Sequence, residues 1–226
     1  MTFSLSPRLR AAASLVRGGG IVADIGTDHG YLPVTLVQEG RVTGAIASDL
    51  RPGPLENARA AVNACGLADK VELRLSDGLA AYRKGDADEY VFAGMGGTLI
   101  ARLVTESVLT RDPSLHFVFQ PQSRAEELRE ALYRNGFVIG RELAVREGNR
   151  YYVAFDAVWT GQNLPFTAVD CHLGKLPRTP EARAFAARQY NRLKKKYDAA
   201  PAGEEKDRLG SVLTALAAFS EGESEP

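Results

Sequence analysis

A chain of 226 residues that is 45% hydrophobic and 25% charged is long enough to bury a large core, as one domain or as one domain with an appendage. Its formal net charge is zero, which excludes nucleic-acid binding driven by overall charge and leaves that work to local basic patches. Cys65 and Cys171 form no CxxC and have no histidines at zinc-ligand spacing, so no structural disulfide or metal site is expected. No apolar run reaches membrane-spanning or signal-peptide length, so the chain reads as cytoplasmic, with no membrane association.

In chain order, the opening stretch MTFSLSPRLRAAASLVRGGG leads to a first strand candidate at Ile21–Ile25. Further strand candidates follow at residues 43–49, 71–75, 90–93 and 116–120, each rich in Val, Ile, Phe or Ala and bounded by Gly, Asp or Pro. Between them lie helix candidates at residues 32–39, 54–64, 99–109 and 125–135. Strand–helix–strand repetition predicts an α/β fold, a doubly wound parallel sheet with right-handed crossovers. After Gly136, two strand-like runs flank "EGN" and predict an antiparallel hairpin at one sheet edge, for seven strands in all. From Gly161 a loop, GQNLPFTAVDCHLGKLPRTP, leads into two amphipathic helices. The first has Thr179 as N-cap and Pro180 at its first position, and a break at Pro201 and Gly203 precedes the second. The pair reads as a helical hairpin, so residues 1–160 form one domain and residues 161–226 another, with SEGESEP as a frayed tail.

Charge is unevenly spread over that second unit. Residues 175–197 hold eight basic side chains against Glu181 alone, whereas residues 198–226 hold two basic and seven acidic. The first helix is either a phosphate-contacting surface or a solvated face neutralised by its acidic neighbour.

The ligand signal is the stretch "DIGTDHGYLP" after the first strand, where a doubly wound sheet opens its crevice. A pyrophosphate loop needs G-x-G-x-x-G, and this loop instead sets Asp24, Asp28 and His29 around Gly26 and Gly30. Carboxylates there would repel a diphosphate and suit a cation such as S-adenosylmethionine, which carries a sulfonium and an ammonium. Other strand ends supply what that ligand needs. Asp49 can accept from ribose hydroxyls, the Ser76-Asp77-Gly78 turn can offer a carboxylate to an adenine amino group, and the glycines of "AGMGG" permit close approach.

The stretches "RLRAAASLV", "ADIGTDHGYLP", "SDLRPGPLENA", "SDGL", "AGMGG", "QPQ" and "LREALYRNGFVIGRELAVREGNRYYVAF" resemble the bacterial tRNA (adenine-22-N1) methyltransferase family over residues 7–159. That family commonly has Ala where this chain has Gly30 and Asn where it has Gln122. The resemblance implies a Rossmann-like class I methyltransferase sheet and methyl transfer from S-adenosylmethionine to N1 of an adenine in the tRNA D-arm region. It further implies Asp28 as the catalytic residue, and Arg8, Asp24, Gly26, Thr27, Gly30, Asp49, Leu50, Ser76, Asp77, Gly78, Gly94 and Met95 as cofactor-binding residues. No protein partner is required on this reading, and a monomer is expected.

Several residues keep two readings at this level. Asp28 is either catalytic or an N-cap, Arg8 either pairs with the cofactor carboxylate or is a surface cation, and Tyr31 either stacks on the target base or packs. His29 reads as a residue that orders the loop. Other functions remain open: action on another RNA base, a non-catalytic RNA-binding module with a vestigial pocket, or a nicotinamide dehydrogenase. The missing G-x-G-x-x-G weighs against the last.

Overall fold

Five parallel strands, β1 (Ile21–Ile25), β2 (Gly44–Asp49), β3 (Val71–Leu75), β4 (Glu89–Gly96) and β5 (His116–Ser123), are followed by a hairpin, β6 (Phe137–Glu147) and β7 (Arg150–Trp159). They form one sheet in the order β3-β2-β1-β4-β5-β7-β6 in a computed structural model that describes residues 2–221. The hairpin strand β7 lies antiparallel to both β5 and β6, the seven-stranded mixed sheet that the sequence predicts. Because the chain runs outward from β1 through β2 to β3 and then returns to β4 on β1's other side, the crevice opens beyond the carboxyl ends of β1 and β4.

Alternation along the strands sorts their side chains into two cores. Tyr90, Phe92, Phe117, Phe119 and Phe155 face one side, where they meet helices α4 (Gly97–Glu106), α5 (Ala125–Arg134), α7 (Pro180–Ala199) and α8 (Glu204–Glu221). Their smaller neighbours Val91, Val118 and Ala154 face α1 (Pro7–Leu15), α2 (Tyr31–Gln38) and α3 (Pro52–Ala64) on the other. Phe185 and Leu193 of α7 and Leu213 and Phe219 of α8 belong to the same apolar cluster as the sheet aromatics. No helix among the described residues is long and apolar enough to cross a membrane.

Some elements depart from the sequence reading. The segment before β1 contains α1, whose Ser6 N-cap and Pro7 at the first position were legible starts, although its alanines give a weak apolar stripe. The stretch read as one loop after Gly161 contains α6 (Ala168–His172), opened by a capping box in which Thr167 and Asp170 exchange side-chain and backbone bonds. The helix expected over residues 99–109 stops at Glu106, where Ser107 turns extended, and a 3-10 turn follows at Val108–Arg111. Strands β4 and β5 both run past their expected ends, by way of Gly94 and Pro121, with register shifts between them. Thr179 caps α7 as predicted, its side chain accepting from Ala182 N. Of the tail read as frayed, Ser220 and Glu221 end α8, and the rest lies outside the described residues.

A buried ion pair ties the last third of the chain to the sheet. The Arg129 guanidinium donates to Glu142 Oε2 from Nη2 at 2.6 Å and from Nε at 3.1 Å, and from Nη1 to the Cys171 carbonyl at 3.0 Å. Both side chains are fully buried, and Glu142 Oε1 also accepts from Lys175 N at 2.9 Å. A bulge between Ile139 and Glu142 turns the carboxylate inward. Gly174 leaves room for it, since a Cβ there would lie 2.4 Å from the carboxylate oxygens.

Candidate active site

The turn from β1 into α2 is made by two glycines in the left-handed region, Gly26 at φ +78° and Gly30 at φ +67°. Gly26 N and Thr27 N both donate to the Ser48 carbonyl of β2, at 2.9 and 2.7 Å, and Gly30 N donates to Thr27 Oγ1. An alanine at Gly30 would be strained by that φ and would bring its Cβ 3.1 Å from Ala58 Cβ, so this chain's loop is built for glycine there. Helix α2 has Gly30 as its N-cap and no side chain caps it, so Asp28 is not spent as a cap. Instead the Asp28 carboxylate is 74% exposed and meets His29 Nε2 at 3.3 Å, the loop-ordering role expected of that histidine.

Asp24 is buried beneath the loop. Burial pushes its carboxyl up to about 6; a hydrogen bond from Thr27 pulls the other way, and the Asp49 charge raises it further. It is therefore a carboxylate waiting for a cation. Asp49 closes β2 with its Oδ1 accepting from Arg51 N at 2.8 Å. In the next turn Ser76 Oγ donates to the Gly78 carbonyl and accepts from Ala81 N, which fixes the turn and leaves Asp77 exposed.

Arg8, in the first turn of α1, is not a surface cation. Its backbone N and Nε donate to the two carboxylate oxygens of Glu147, at 3.1 and 3.3 Å, and its Nη1 donates to Gln120 Oε1 at 3.3 Å. The same Gln120 oxygen accepts from Gly94 N at 3.2 Å, so one buried carboxamide holds both the guanidinium and the β4 turn. Gly94, at φ +79°, is the position that lets Arg8 approach, since a Cβ there would lie 3.3 Å from Nη1.

These strand ends enclose two adjoining cavities, of about 400 and about 410 Å³, that share Gly26, Asp28 and Gly94. The first is walled by Arg8, Asp24, Thr27 and Gly30, and the second by Asp49, Leu50, Ser76, Asp77, Gly78 and Met95. Every residue expected to be catalytic or cofactor-binding thus lines one of these two cavities, whereas Gly96 and Gly97 of the glycine-rich turn line neither. Others were missed. Leu99 and Leu103 of α4 face the second cavity, where Leu50 (61% exposed) and Leu99 (40%) leave apolar surface uncovered, as a flat ring would require. Ser4, Leu5 and Ser6, which no motif marks, wall the first together with Leu9. Tyr31 is engaged by Phe3 and His29, its ring near-parallel to theirs at 4.5 and 5.2 Å, the packing reading of that residue.

Residues 5–155 match the model of a methyltransferase domain family. The tRNA (adenine(22)-N(1))-methyltransferase of Bacillus subtilis is 32% identical over 172 residues, which cover 76% of this chain and 72% of that protein. The chain belongs to this family. The crystal structure of the B. subtilis m1A22 tRNA methyltransferase TrmK superposes on this methyltransferase with a TM-score of 0.82 at 25% identity, covering 96% of this chain and 99% of that one. Streptococcus pneumoniae Sp1610 in complex with S-adenosyl-L-methionine gives a TM-score of 0.81 at 30% identity, covering 95% of this chain and 98% of its own.

The crevice of this methyltransferase fits S-adenosylmethionine on its donor chemistry. A buried carboxylate at Asp24 with no ion pair among the described residues suits an ammonium, a held guanidinium at Arg8 suits a carboxylate, and uncovered leucines flank the cavity that Asp49 and Asp77 line.

Proposed function

We propose that this chain transfers a methyl group from S-adenosylmethionine to N1 of adenine 22 in the D-arm region of tRNA. What carries the reading is the pair of cavities meeting at Gly26, Asp28 and Gly94 in a member of this family. One cavity holds the cofactor's nucleoside, and the other takes its methionine end and opens to the substrate base. Incubating the protein with labelled cofactor and total tRNA, then mapping the modified nucleotide, should place a single N1-methyladenine at position 22. Label at any other base, or none, overturns the assignment.

When bound, the cofactor supplies an electrophilic methyl group on a cationic sulfur. Arg8 and Asp24 hold its carboxylate and ammonium, Asp49 its ribose hydroxyls and Asp77 its adenine amino group, while Leu50 and Met95 pack the ring. Gly26, Thr27, Gly30 and Gly94 keep the wall close, and Ser76 and Gly78 fix the turn that presents Asp77. N1 of adenine has an in-plane lone pair, so no base is needed to make it a nucleophile, and the protein's task is alignment. As the methyl moves, positive charge builds on the adenine. Asp28, exposed where the cavities meet, accepts from N6–H and stabilises that charge. The base sits within folded tRNA and must be unstacked to reach this point.

Asp24 makes cofactor affinity depend on pH. Its carboxyl titrates at about 6 in the free protein, and a bound ammonium favours the ionised form, so binding takes up no proton at pH 7 but must expel one at pH 5. Affinity should therefore fall about tenfold from pH 7 to pH 5 by calorimetry, as the ionised fraction falls. Asp24→Asn should bind weakly with no such slope, and a slope that survives this change assigns the titration elsewhere.

The tRNA surface includes α7. Lys195 and Lys196 are exposed and form no ion pair among the described residues, whereas Lys194 pairs with Asp198 and Arg192 with Glu126. None of these pairs joins α7 to an acid of α8, which removes the neutralising partner that a merely solvated face would have. Replacing Lys194, Lys195 and Lys196 by Ala should weaken tRNA binding and flatten its dependence on log salt by about one unit for each phosphate no longer neutralised. An unchanged slope would make the helix a solvated face. A tRNA substrate agrees with the cytoplasmic location expected of the chain.

A further inference from the structure

Beyond Gln120, strand β5 carries a second glutamine that the fold leaves unused. Gln120 is fully buried and engaged at both ends, its oxygen on Arg8 and Gly94 and its nitrogen donating to the Pro121 carbonyl at 3.2 Å. Gln122, two residues on, is exposed and lines the cavity that also holds Asp28, and its side chain makes no hydrogen bond among the described residues. Its Nε2 lies 3.6 Å from where a Cβ on Gly94 would stand, so the carboxamide sits beside the glycine common to both cavities.

We propose that Gln122 reads the Hoogsteen edge of the target adenine, accepting from N6–H and donating to N7, and so selects adenine while leaving N1 free. The inference rests on the adenine-N1 reading above. Methyl transfer commits the N1 lone pair to the incoming carbon, so no protein group can identify the base through N1. What remains is the amino group, with one hydrogen beside N1 and one beside N7, and N7 itself. A carboxylate such as Asp28 can take the hydrogen beside N1 but has no proton to give N7. A carboxamide has both an acceptor and a donor, at the spacing of N6–H and N7. Guanine presents acceptors at both O6 and N7, which leaves the Gln122 oxygen facing another oxygen, so the same group disfavours the wrong purine.

The test compares wild type, Gln122→Ala and Gln122→Glu on tRNA ligated to carry adenine or 7-deazaadenine at position 22. Wild type should lose about tenfold in kcat/KM when N7 is replaced by carbon. Both variants should be about tenfold slower than wild type on natural tRNA and lose little more on the analogue, because neither can donate to N7. The altered N1 basicity of the analogue is common to all three proteins and cancels in the comparison. Cofactor affinity, measured by calorimetry, should be unchanged in the variants, which also shows that they fold. Equal analogue penalties in all three proteins, wild-type rates for the variants on natural tRNA, or lost cofactor binding would each overturn the role. Failure of wild type to methylate adenine 22 of natural tRNA would overturn the reaction reading instead.

Discussion

Asp28→Ala is expected to bind S-adenosylmethionine with wild-type affinity and to lose about 10²–10³-fold in turnover, the usual cost of removing a group that stabilises charge developing in the transition state. The two halves of this result have separate causes. Affinity survives because the Asp28 carboxylate is exposed and, among the described residues, paired only with His29, while the loop backbone is pinned by Ser48 and Thr27. Turnover falls because the carboxylate no longer accepts from N6 as the adenine becomes cationic. Asp28→Asn, which keeps an acceptor oxygen but loses the charge, should fall between the two. If calorimetry finds cofactor binding lost in Asp28→Ala, the residue belongs to the cofactor and the catalytic assignment fails.

The largest effect on stability is expected away from the crevice. Arg129→Ala or Glu142→Ala each leave one fully buried charge without its partner, and such breaks cost about 3–5 kcal/mol. A drop of that size should appear as a lower denaturant midpoint with little change in the slope. Replacing both partners by apolar residues of similar volume should recover much of the loss, since the penalty lies in the orphaned charge. A single variant as stable as wild type would mean that water reaches the pair. Because Arg129 also holds the Cys171 carbonyl and Glu142 the Lys175 backbone, the single variants should loosen the approach to α7 as well.

Much of this was legible in the sequence where one residue type has one physical use. Alternating apolar runs placed β1 and β3 to the residue, and Thr179-Pro180 fixed the start of α7. The acids of the first loop pointed to a cationic ligand, and Asp24 and Asp28 both reach the crevice. What stayed hidden depends on contacts made far along the chain. Arg8 could not be told from a surface cation until Glu147 and Gln120 were seen beside it. Nor does any local pattern mark Leu99 and Leu103 as wall residues, because the stripe that faces a cavity and the stripe that faces a core have the same helical period. Gln122 and Gln120 are one residue type two places apart in β5, and no local pattern marks the first as exposed on a cavity and the second as buried and hydrogen-bonded.

The hold on Arg8 has a consequence for how the protein is made. The guanidinium that lines the first cavity is synthesised 139 residues ahead of its carboxylate partner. A nascent chain that has completed β1 to β4 has its acidic loop and its glycine turn but no anchor for Arg8, and the wall of the first cavity stays open. That wall is therefore complete only after the tip of the β6–β7 hairpin has left the ribosome and docked, which makes α1 one of the last pieces of the cavity to be fixed in place.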